Sequence, residues 1–155
     1  MKPRPSDAIS LLKKDHETVK KLFAEFKSVS HSDEGSKKEQ IVEEIIGALE
    51  LHATVEEEIF YPAVRKARAE QTKDEVREAY EEHKQIKALL AALNDTMPND
   101  ETYDSKVKVL QEDVEHHVKE EEGEMFPDAK KFLGAEKLQS LGEQIARRKE
   151  EVESN

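Results

Sequence analysis

The sequence predicts an all-α protein: an antiparallel up-down-up-down four-helix bundle, made of a duplicated helical hairpin and followed by a short C-terminal helix. Three observations predict it. Apolar residues recur at intervals of three and four in four separate stretches, whereas the alternation typical of strands is almost absent. Turn-forming residues separate the stretches, and short connections favour antiparallel neighbours. The two halves of the chain also repeat each other.

The first two predicted helices form the first hairpin. One face of the first helix carries Ile9, Leu12, His16, Val19, Phe23 and Phe26. One face of the second carries Val42, Ile45, Leu49, His52, Glu56, Phe60 and Ala63. A break at Ser32-Asp33-Glu34-Gly35 separates them, and Ser36 with Glu39 forms a candidate capping box for the second helix. Pro62 predicts a kink, after which the helix resumes as far as Arg68.

The second predicted hairpin has the same plan. Its first helix carries Val76, Tyr80, His83, Ile86, Leu90 and Leu93, and its second carries Val107, Leu110, Val114, His117, Glu121 and Met125. Thr72 with Glu75 repeats the capping box, and Met97-Pro98-Asn99-Asp100 predicts a turn between the helices. Gly134 precedes a weaker amphipathic segment from Leu138 to Val152, for which we expect a short helix packed outside the main bundle, either covering the bundle end or mediating dimerisation.

Composition limits the classes of function. The 155 residues suit a single domain over 1–155, with a core bundle at about 6–130 and a C-terminal helical extension at about 134–153. The net charge of −11 argues against a nucleic-acid partner. The absence of cysteine excludes disulfides, thiolate metal sites and cysteine nucleophiles. No apolar run has the length of a membrane span or a signal peptide, so we expect a cytoplasmic protein without a membrane partner.

The internal repeat relates chemically important residues of the two halves. It pairs His16 with His83, His52 with His117, Glu56 with Glu121, Glu57 with Glu122, and Pro62 with Pro127. A duplicated hairpin predicts a bundle with a pseudo-twofold axis, and a site at its centre would draw on both halves.

Four of the six histidines lie on the four apolar stripes, one on each helix. Two of them, His52 and His117, are followed at i+4 by a glutamate that falls on the same face. Burying a carboxylate without a partner costs on the order of several kcal/mol, and no lysine or arginine shares this layer. A single buried histidine is usually a hydrogen-bonded core residue, but four in matching register favour cations. Four imidazoles and two carboxylates exceed the ligands of one tetrahedral metal and therefore suit two ions.

The spacing of histidine and glutamate occurs a second time, in His116 and Glu120. The helical neighbours of His116 are polar, whereas His117 aligns with apolar residues and with the repeat. We therefore expect His116 to flank the site or to contact a ligand residue, and His31 to be a solvated side chain in a polar loop.

The arrangement of these residues resembles the hemerythrin-like HHE cation-binding family over about residues 8–130. The similarity is carried by Asp15-His16, by His52-x-x-x-Glu56-Glu57 leading to Phe60-Tyr61-Pro62, by Glu82-His83, and by His117-x-x-x-Glu121-Glu122 leading to Phe126-Pro127. The resemblance implies a non-haem di-iron centre: two iron ions bridged by carboxylates and by an oxo or hydroxo group. The implied ligands are His16, His52, Glu56, His83, His117 and Glu121.

The chain departs from oxygen-carrying members of that family beside His83. They have a second histidine one turn away, where this chain has Ala79 and Lys87. The departure argues against reversible oxygen carriage and predicts a more open and more symmetric centre. Our hypothesis places one ion at His16 and His52 and the other at His83 and His117. Glu56 and Glu121 would bridge the two ions.

Four other residues near the motif have open roles. We expect Glu57 and Glu122 to be partly exposed flanking residues or hydrogen-bond acceptors rather than ligands. We expect Tyr61 and Tyr80 to be packing residues, with a phenolate ligand as the alternative.

Three classes of function fit the predicted centre. We expect a protein that binds a small diatomic or redox ligand such as O2, NO or peroxide, or that senses iron or oxygen. One alternative is a di-iron oxidoreductase that consumes peroxide or nitric oxide, and another is a metal-stabilised structural bundle without turnover. No nucleophile, cofactor motif or substrate pocket can be recognised from the sequence. This favours a metal- and ligand-binding protein over a dedicated enzyme.

Overall fold

The computed structural model describes residues 6–29, 35–67 and 70–154, which form helices joined by short connections. The helices are α1 (Ala8–Val29), α2 (Gly35–Val55), α3 (Tyr61–Lys66), α4 (Glu70–Asn94), α5 (Tyr103–Glu120) and α6 (Phe126–Glu153). A π-helical turn, Glu56–Phe60, joins α2 to α3, and another, Glu121–Met125, joins α5 to α6. Within these ranges there is no strand, and no helix combines the length and apolarity needed to cross a membrane. The predicted all-α bundle is confirmed.

The helices pack as two hairpins, with α1 against α2 and α4 against α5. Further contacts of α3 with α4 and of α6 with α1 join the hairpins. The apolar residues form two clusters at different levels of the bundle. One contains Phe23, Phe26, Ile45, Leu90 and Leu110, and the other contains Leu12, Phe60, Phe126, Leu138 and Ile145. The predicted histidines and glutamates lie on the helices between these two levels, so apolar packing holds the layer from both sides.

The helix starts differ from those predicted. The carboxylate of Asp7 accepts a hydrogen bond from the backbone N–H of Ser10 (2.8 Å), which caps α1. Because α2 begins at Gly35 and α4 at Glu70, Ser36 and Thr72 lie inside the first turns. Neither of these two residues is therefore an N-cap, and both predicted capping boxes were wrong.

Connections between helices follow the prediction where the structure describes them. Met97-Pro98-Asn99-Asp100 lies in the non-helical segment 95–102 between α4 and α5. Its aspartate accepts hydrogen bonds from the backbone N–H (2.8 Å) and hydroxyl (2.6 Å) of Thr102. Residues 32–34 of the first predicted break lie outside the described residues, as does Arg68 at the predicted end of the second helix.

The expected kink at Pro62 takes the form of a π-helical turn. The backbone N–H of Tyr61 donates to the carbonyl of Glu56, five residues back, and that of Phe126 donates to Glu121 in the same way. Proline lacks an N–H, and its ring collides with the carbonyl four residues back in a regular α-helix. The wider π-helical turn before Pro62 and before Pro127 accommodates the missing N–H and makes room for the ring, so the helix can continue.

The C-terminal part of α6 closes one end of the bundle. The helix is interrupted at Gly134, whose φ of 81° lies in the region that favours glycine. Beyond it, Leu138, Leu141 and Ile145 are buried in the same apolar cluster as Ala8 and Leu12. The expected terminal helix is present and covers the bundle end, but its place outside the main bundle was wrong, because its apolar stripe completes the core. At Gly142 the helix passes so close to α1 that an added Cβ would lie 2.3 Å from the carbonyl oxygen of Ser6.

Candidate metal centre

The structure brings together all six residues predicted as metal ligands. Each helix of the two hairpins contributes one histidine: His16 from α1, His52 from α2, His83 from α4 and His117 from α5. Glu56 and Glu121 are the first residues of the two π-helical turns. All six side chains are buried, and the two glutamates are at most 1% exposed.

The histidines form two pairs at the centre. The Nε2 atoms of His16 and His52 lie 3.2 Å apart, and those of His83 and His117 lie 3.1 Å apart. Glu56 Oε1 lies 3.1 Å from Nε2 of both His52 and His83. Glu121 Oε1 lies 3.2 Å from His16 Nε2 and 3.4 Å from His117 Nε2. Each glutamate therefore contacts one histidine of each pair.

Each of the four histidines is also held from outside by a carboxylate at Nδ1. These outer carboxylates are Glu122 on His16 (2.6 Å), Asp15 on His52 (2.8 Å), Glu57 on His83 (2.8 Å) and Glu82 on His117 (2.5 Å). An ionised carboxylate only accepts hydrogen bonds, so the proton lies on Nδ1. Each Nε2 then faces the centre, where it can bind a metal once it carries no proton.

The four outer carboxylates follow the internal repeat. Asp15 and Glu82, the residues before the first histidine of each half, hold the second histidine of the same hairpin. Glu57 and Glu122 reach instead to the first histidine of the other hairpin. The geometry agrees with the expectation that Glu57 and Glu122 could serve as hydrogen-bond acceptors. Sequence analysis assigned no role to the first pair, although an acid before the histidine in both halves was an available signal.

Tyr61 reaches the centre, whereas Tyr80 does not. The Tyr61 hydroxyl donates to Glu121 Oε2 (2.6 Å) and lies 3.1 Å from His83 Nε2 and 3.3 Å from His117 Nε2. The Tyr80 hydroxyl donates to the backbone carbonyl of Glu57 (3.3 Å) at the edge of the bundle. Tyr61 is therefore more than a packing residue.

Electrostatics keep the central glutamates ionised. Burial raises the pKa of Glu56, but the charge of His52 and hydrogen bonds lower it well below its usual value. Burial and Glu56 raise the pKa of Glu121, but interactions with His117 bring it to about 2. Burial lowers the pKa of His52 and of His117, and the adjacent glutamates raise it well above its usual value. In the metal-free centre the protonated imidazoles of His52 and His117 thus balance the two glutamates, and a bound cation would take the place of their Nε2 protons.

Two buried oxygens of this layer lack a hydrogen-bond partner, Glu56 Oε2 and Glu121 Oε1. Such orphaned carboxylate oxygens are costly unless a cation neutralises them. Ligand atoms of His16, His52, Glu56 and Glu121 lie within 4.8 Å of one another, as do those of Glu56, His83 and His117. Imidazole and carboxylate donors suit first-row transition metals, so the residues present fit two such ions.

A small apolar cavity adjoins the histidine layer. Its volume is about 30 Å³, and its walls include Val19, Leu49, Ile86, Leu90 and Val114 together with all four central histidines. One water molecule needs about 10–15 Å³ of cavity volume, so this cavity has room for a molecule of two or three heavy atoms. Sequence analysis did not predict this cavity, because its walls look like ordinary core residues.

The fifth histidine that the structure describes, His116, stands apart from the centre. Its side chain is 66% exposed, and its Nε2 lies 2.9 Å from Glu120 and 3.7 Å from Glu82. The predicted flanking position agrees with this geometry. His31 lies outside the described residues.

The bundle and its buried histidine–glutamate layer define a helical cation-binding protein. A family model described as the hemerythrin HHE cation binding domain matches residues 7–129. The chain therefore belongs to the hemerythrin HHE cation-binding family, as the sequence motifs predicted.

Two of three similar proteins carry the same family description. A crystal structure of a hemerythrin HHE cation binding domain-containing protein from Mycobacterium kansasii has a TM-score of 0.80 and 25% identity, covering 94% of this chain and 86% of that one. A hemerythrin-like protein of Schizosaccharomyces pombe is 26% identical over 149 residues, covering 96% of this chain and 70% of its own length. A DNA nickase of Nostoc sp. is 27% identical over 143 residues, or 92% of this chain. The match spans 39% of the nickase's length.

Proposed function

We propose that the chain holds two iron ions at this centre. His16 and His52 would hold one ion, His83 and His117 the other, with Glu56 and Glu121 spanning both. The support is the pairing of the four Nε2 atoms and the two orphaned glutamate oxygens between the pairs. This donor set also suits manganese, cobalt and zinc, and membership of the hemerythrin family favours iron.

The proposed ligand is a small, uncharged redox molecule: O2, NO or peroxide. The observation that carries this step is the cavity of about 30 Å³ beside the histidines. Its apolar side chains disfavour hydrated anions, because burying a charge without a partner is costly. Bound iron would donate electron density to such a molecule when the iron is reduced and withdraw it when the iron is oxidised. The protein's part is to hold the imidazoles by their Nδ1 atoms and to exclude bulk water.

Binding or sensing is the function that this geometry supports best. Apart from the proposed ligands and their acceptors, the cavity is lined almost entirely by hydrocarbon. A second candidate is an oxidoreductase that consumes peroxide or nitric oxide, and one observation favours it. The Tyr61 hydroxyl lies 3.1 Å from His83 Nε2, beside the proposed metal position, where it could donate a hydrogen bond to a ligand held by the metal.

Metal analysis of protein from iron-supplied cells, with visible spectra, tests the proposal. We expect two iron ions per chain and a spectrum that changes with O2, NO or peroxide. His52→Ala and Glu121→Gln should lose metal, because each removes a central donor. His116→Ala is the matched control and should retain it, since that side chain is 66% exposed. Negligible content of every transition metal in the wild type would contradict the proposal.

The spectra also separate the functions. A stable, reversible adduct supports binding, whereas rapid consumption of peroxide or nitric oxide supports the oxidoreductase. Metal-loaded protein that responds to none of the three molecules would support a purely structural role for the ions.

A further inference from the structure

A lysine from beyond the family match reaches the outer layer of the metal centre. Lys149, in the part of α6 that follows Gly134, forms an ion pair with Asp15 Oδ1. The other oxygen of that carboxylate, Oδ2, accepts the hydrogen bond from His52 Nδ1 (2.8 Å). Both members of the ion pair are only 19% exposed. The C-terminal helix is thus joined to a proposed ligand through one intervening side chain.

The four outer carboxylates differ in their cationic partners. Asp15 has Lys149, and Glu57 has Lys87 at 2.8 Å. Among the residues that the structure describes, neither Glu82 nor Glu122 pairs with a lysine or arginine. The Lys87 side chain is 51% exposed, so solvent screens it far more than Lys149. Lys149 is therefore the better-shielded of the two cations.

An outer partner acts on a ligand by fixing its orientation. The side chain of an aspartate can rotate about two bonds. Because Lys149 binds one oxygen of Asp15, it restrains the plane of the carboxylate and hence the direction in which the other oxygen faces His52. The direction of that hydrogen bond sets the tilt of the imidazole and hence the position of Nε2, which lies 3.1 Å from Glu56. Changes to the direct hydrogen-bond partner of a ligand, which for His52 is Asp15, typically lower metal affinity by about 10–100-fold, so a change that acts through Asp15 falls at or below the lower end of this range.

We propose that Lys149 is a positioning residue for His52. Acting through Asp15, it makes the C-terminal helix a determinant of metal affinity at the position formed by His16 and His52. The affinity part of this inference rests on the proposed function, whereas the orientation of His52 does not.

The first test uses metal-free protein labelled with ¹⁵N in histidine. In the wild type we expect a slowly exchanging Nδ1–H signal from His52, because the Asp15 carboxylate holds that proton. Lys149→Ala should broaden this signal or speed its exchange about tenfold, and should leave that of His83 unchanged. Lys149→Arg should restore it. Arg148→Ala is the matched control: it removes a neighbouring cation that pairs with Glu58 rather than Asp15.

The second test is a titration with Fe²⁺ in the absence of oxygen. Lys149→Ala should weaken one of two binding events by up to about tenfold, and Lys149→Arg should recover it. Unchanged His52 signals with two unchanged affinities would overturn the inference. An equal effect of Arg148→Ala would also overturn it, because the cause would then be general loosening of the helix. A wild type that binds no metal would defeat the proposed function and the affinity part, and the histidine signals would decide the positioning part.

Discussion

Tyr61 and Phe126 occupy equivalent positions of the internal repeat, each directly after a π-helical turn, but contact the centre differently. The Tyr61 hydroxyl donates to Glu121 Oε2 at 2.6 Å. The Phe126 ring instead stacks on His16, with centroids 5.9 Å apart and an interplanar angle of 4°. The two proposed metal positions are therefore unequal: one faces a hydroxyl and the other a phenyl ring. The symmetric centre expected from the sequence is symmetric only in its histidines, glutamates and outer carboxylates.

Tyr61→Phe should destabilise the metal-free protein by about 1–3 kcal/mol, because Glu121 would lose its hydroxyl donor while remaining buried. Burial and the adjacent charges of Glu56 and Glu121 raise the pKa of Tyr61 well above its usual value, so the native hydroxyl is neutral and able to donate. Urea unfolding of metal-free samples measures the effect. Tyr80→Phe, the same chemical change at the bundle edge, should cost less; equal costs would argue against a special role for Tyr61.

Glu57→Gln should weaken metal binding by about 10–100-fold, since the neutral amide is a poorer acceptor for His83 Nδ1. The adjacent Glu58→Gln is the matched control. Glu58 is half exposed and pairs with Arg148 rather than with a histidine. Competition with a coloured chelator measures both affinities, and a Glu57→Gln variant that binds as tightly as Glu58→Gln would refute the assignment.

Glu75→Gln should flatten the pH dependence of stability. Burial, and after it the hydrogen bond and charge of Asp128, raise the pKa of Glu75 to about 8 from its ordinary 4.5. Between these values the folded chain keeps a proton that the unfolded chain has released, so this group lowers stability as pH rises. The variant should gain most over the wild type near pH 8 and least near pH 4.5. Urea unfolding of the wild type and the variant between pH 4.5 and 8 measures this difference, and the exposed Glu17→Gln is the control. If the stability of the wild type and of Glu75→Gln changes with pH in parallel, the expectation is wrong.

Gly142→Ala should destabilise the protein by about 1–3 kcal/mol through overpacking. Its Cβ would lie 2.3 Å from the Ser6 carbonyl oxygen and 2.7 Å from the Asp7 carbonyl carbon, both of which are backbone atoms. Gly47→Ala is the opposite case: nothing lies within 4 Å of its Cβ, and alanine favours a helix interior by about 0.5–1 kcal/mol. Thermal unfolding should therefore shift in opposite directions for the two variants, and a shift in the same direction would contradict the described packing.

Much of the fold and the composition of the site followed from hydrophobic periodicity. A residue such as His52, spaced with Leu49 and Ile45, must face the core whichever helix packs against it. The i+4 spacing then places Glu56 on the same face, and the internal repeat separates His117 from His116. These inferences need only the geometry of a single helix.

The remaining features depend on contacts between distant helices. That Asp15 would meet both His52 and Lys149 depends on the relative rotation of three helices, which no local pattern determines. Pro62 signalled a distortion, but not that a π-helical turn would absorb it. The apolar stripe of the C-terminal segment was visible, whereas its place in the main core depended on the chain direction after Gly134 and the close approach at Gly142.

The outer carboxylates also bear on ancestry. Glu57 of the first hairpin holds His83 of the second, and Glu122 of the second holds His16 of the first. A shorter forerunner with only one hairpin would therefore have left its own first histidine unsupported. Two identical hairpins facing each other across a twofold axis would exchange these supports, so the crossed pattern is the one expected if the chain arose by duplication of a hairpin that paired with its own copy.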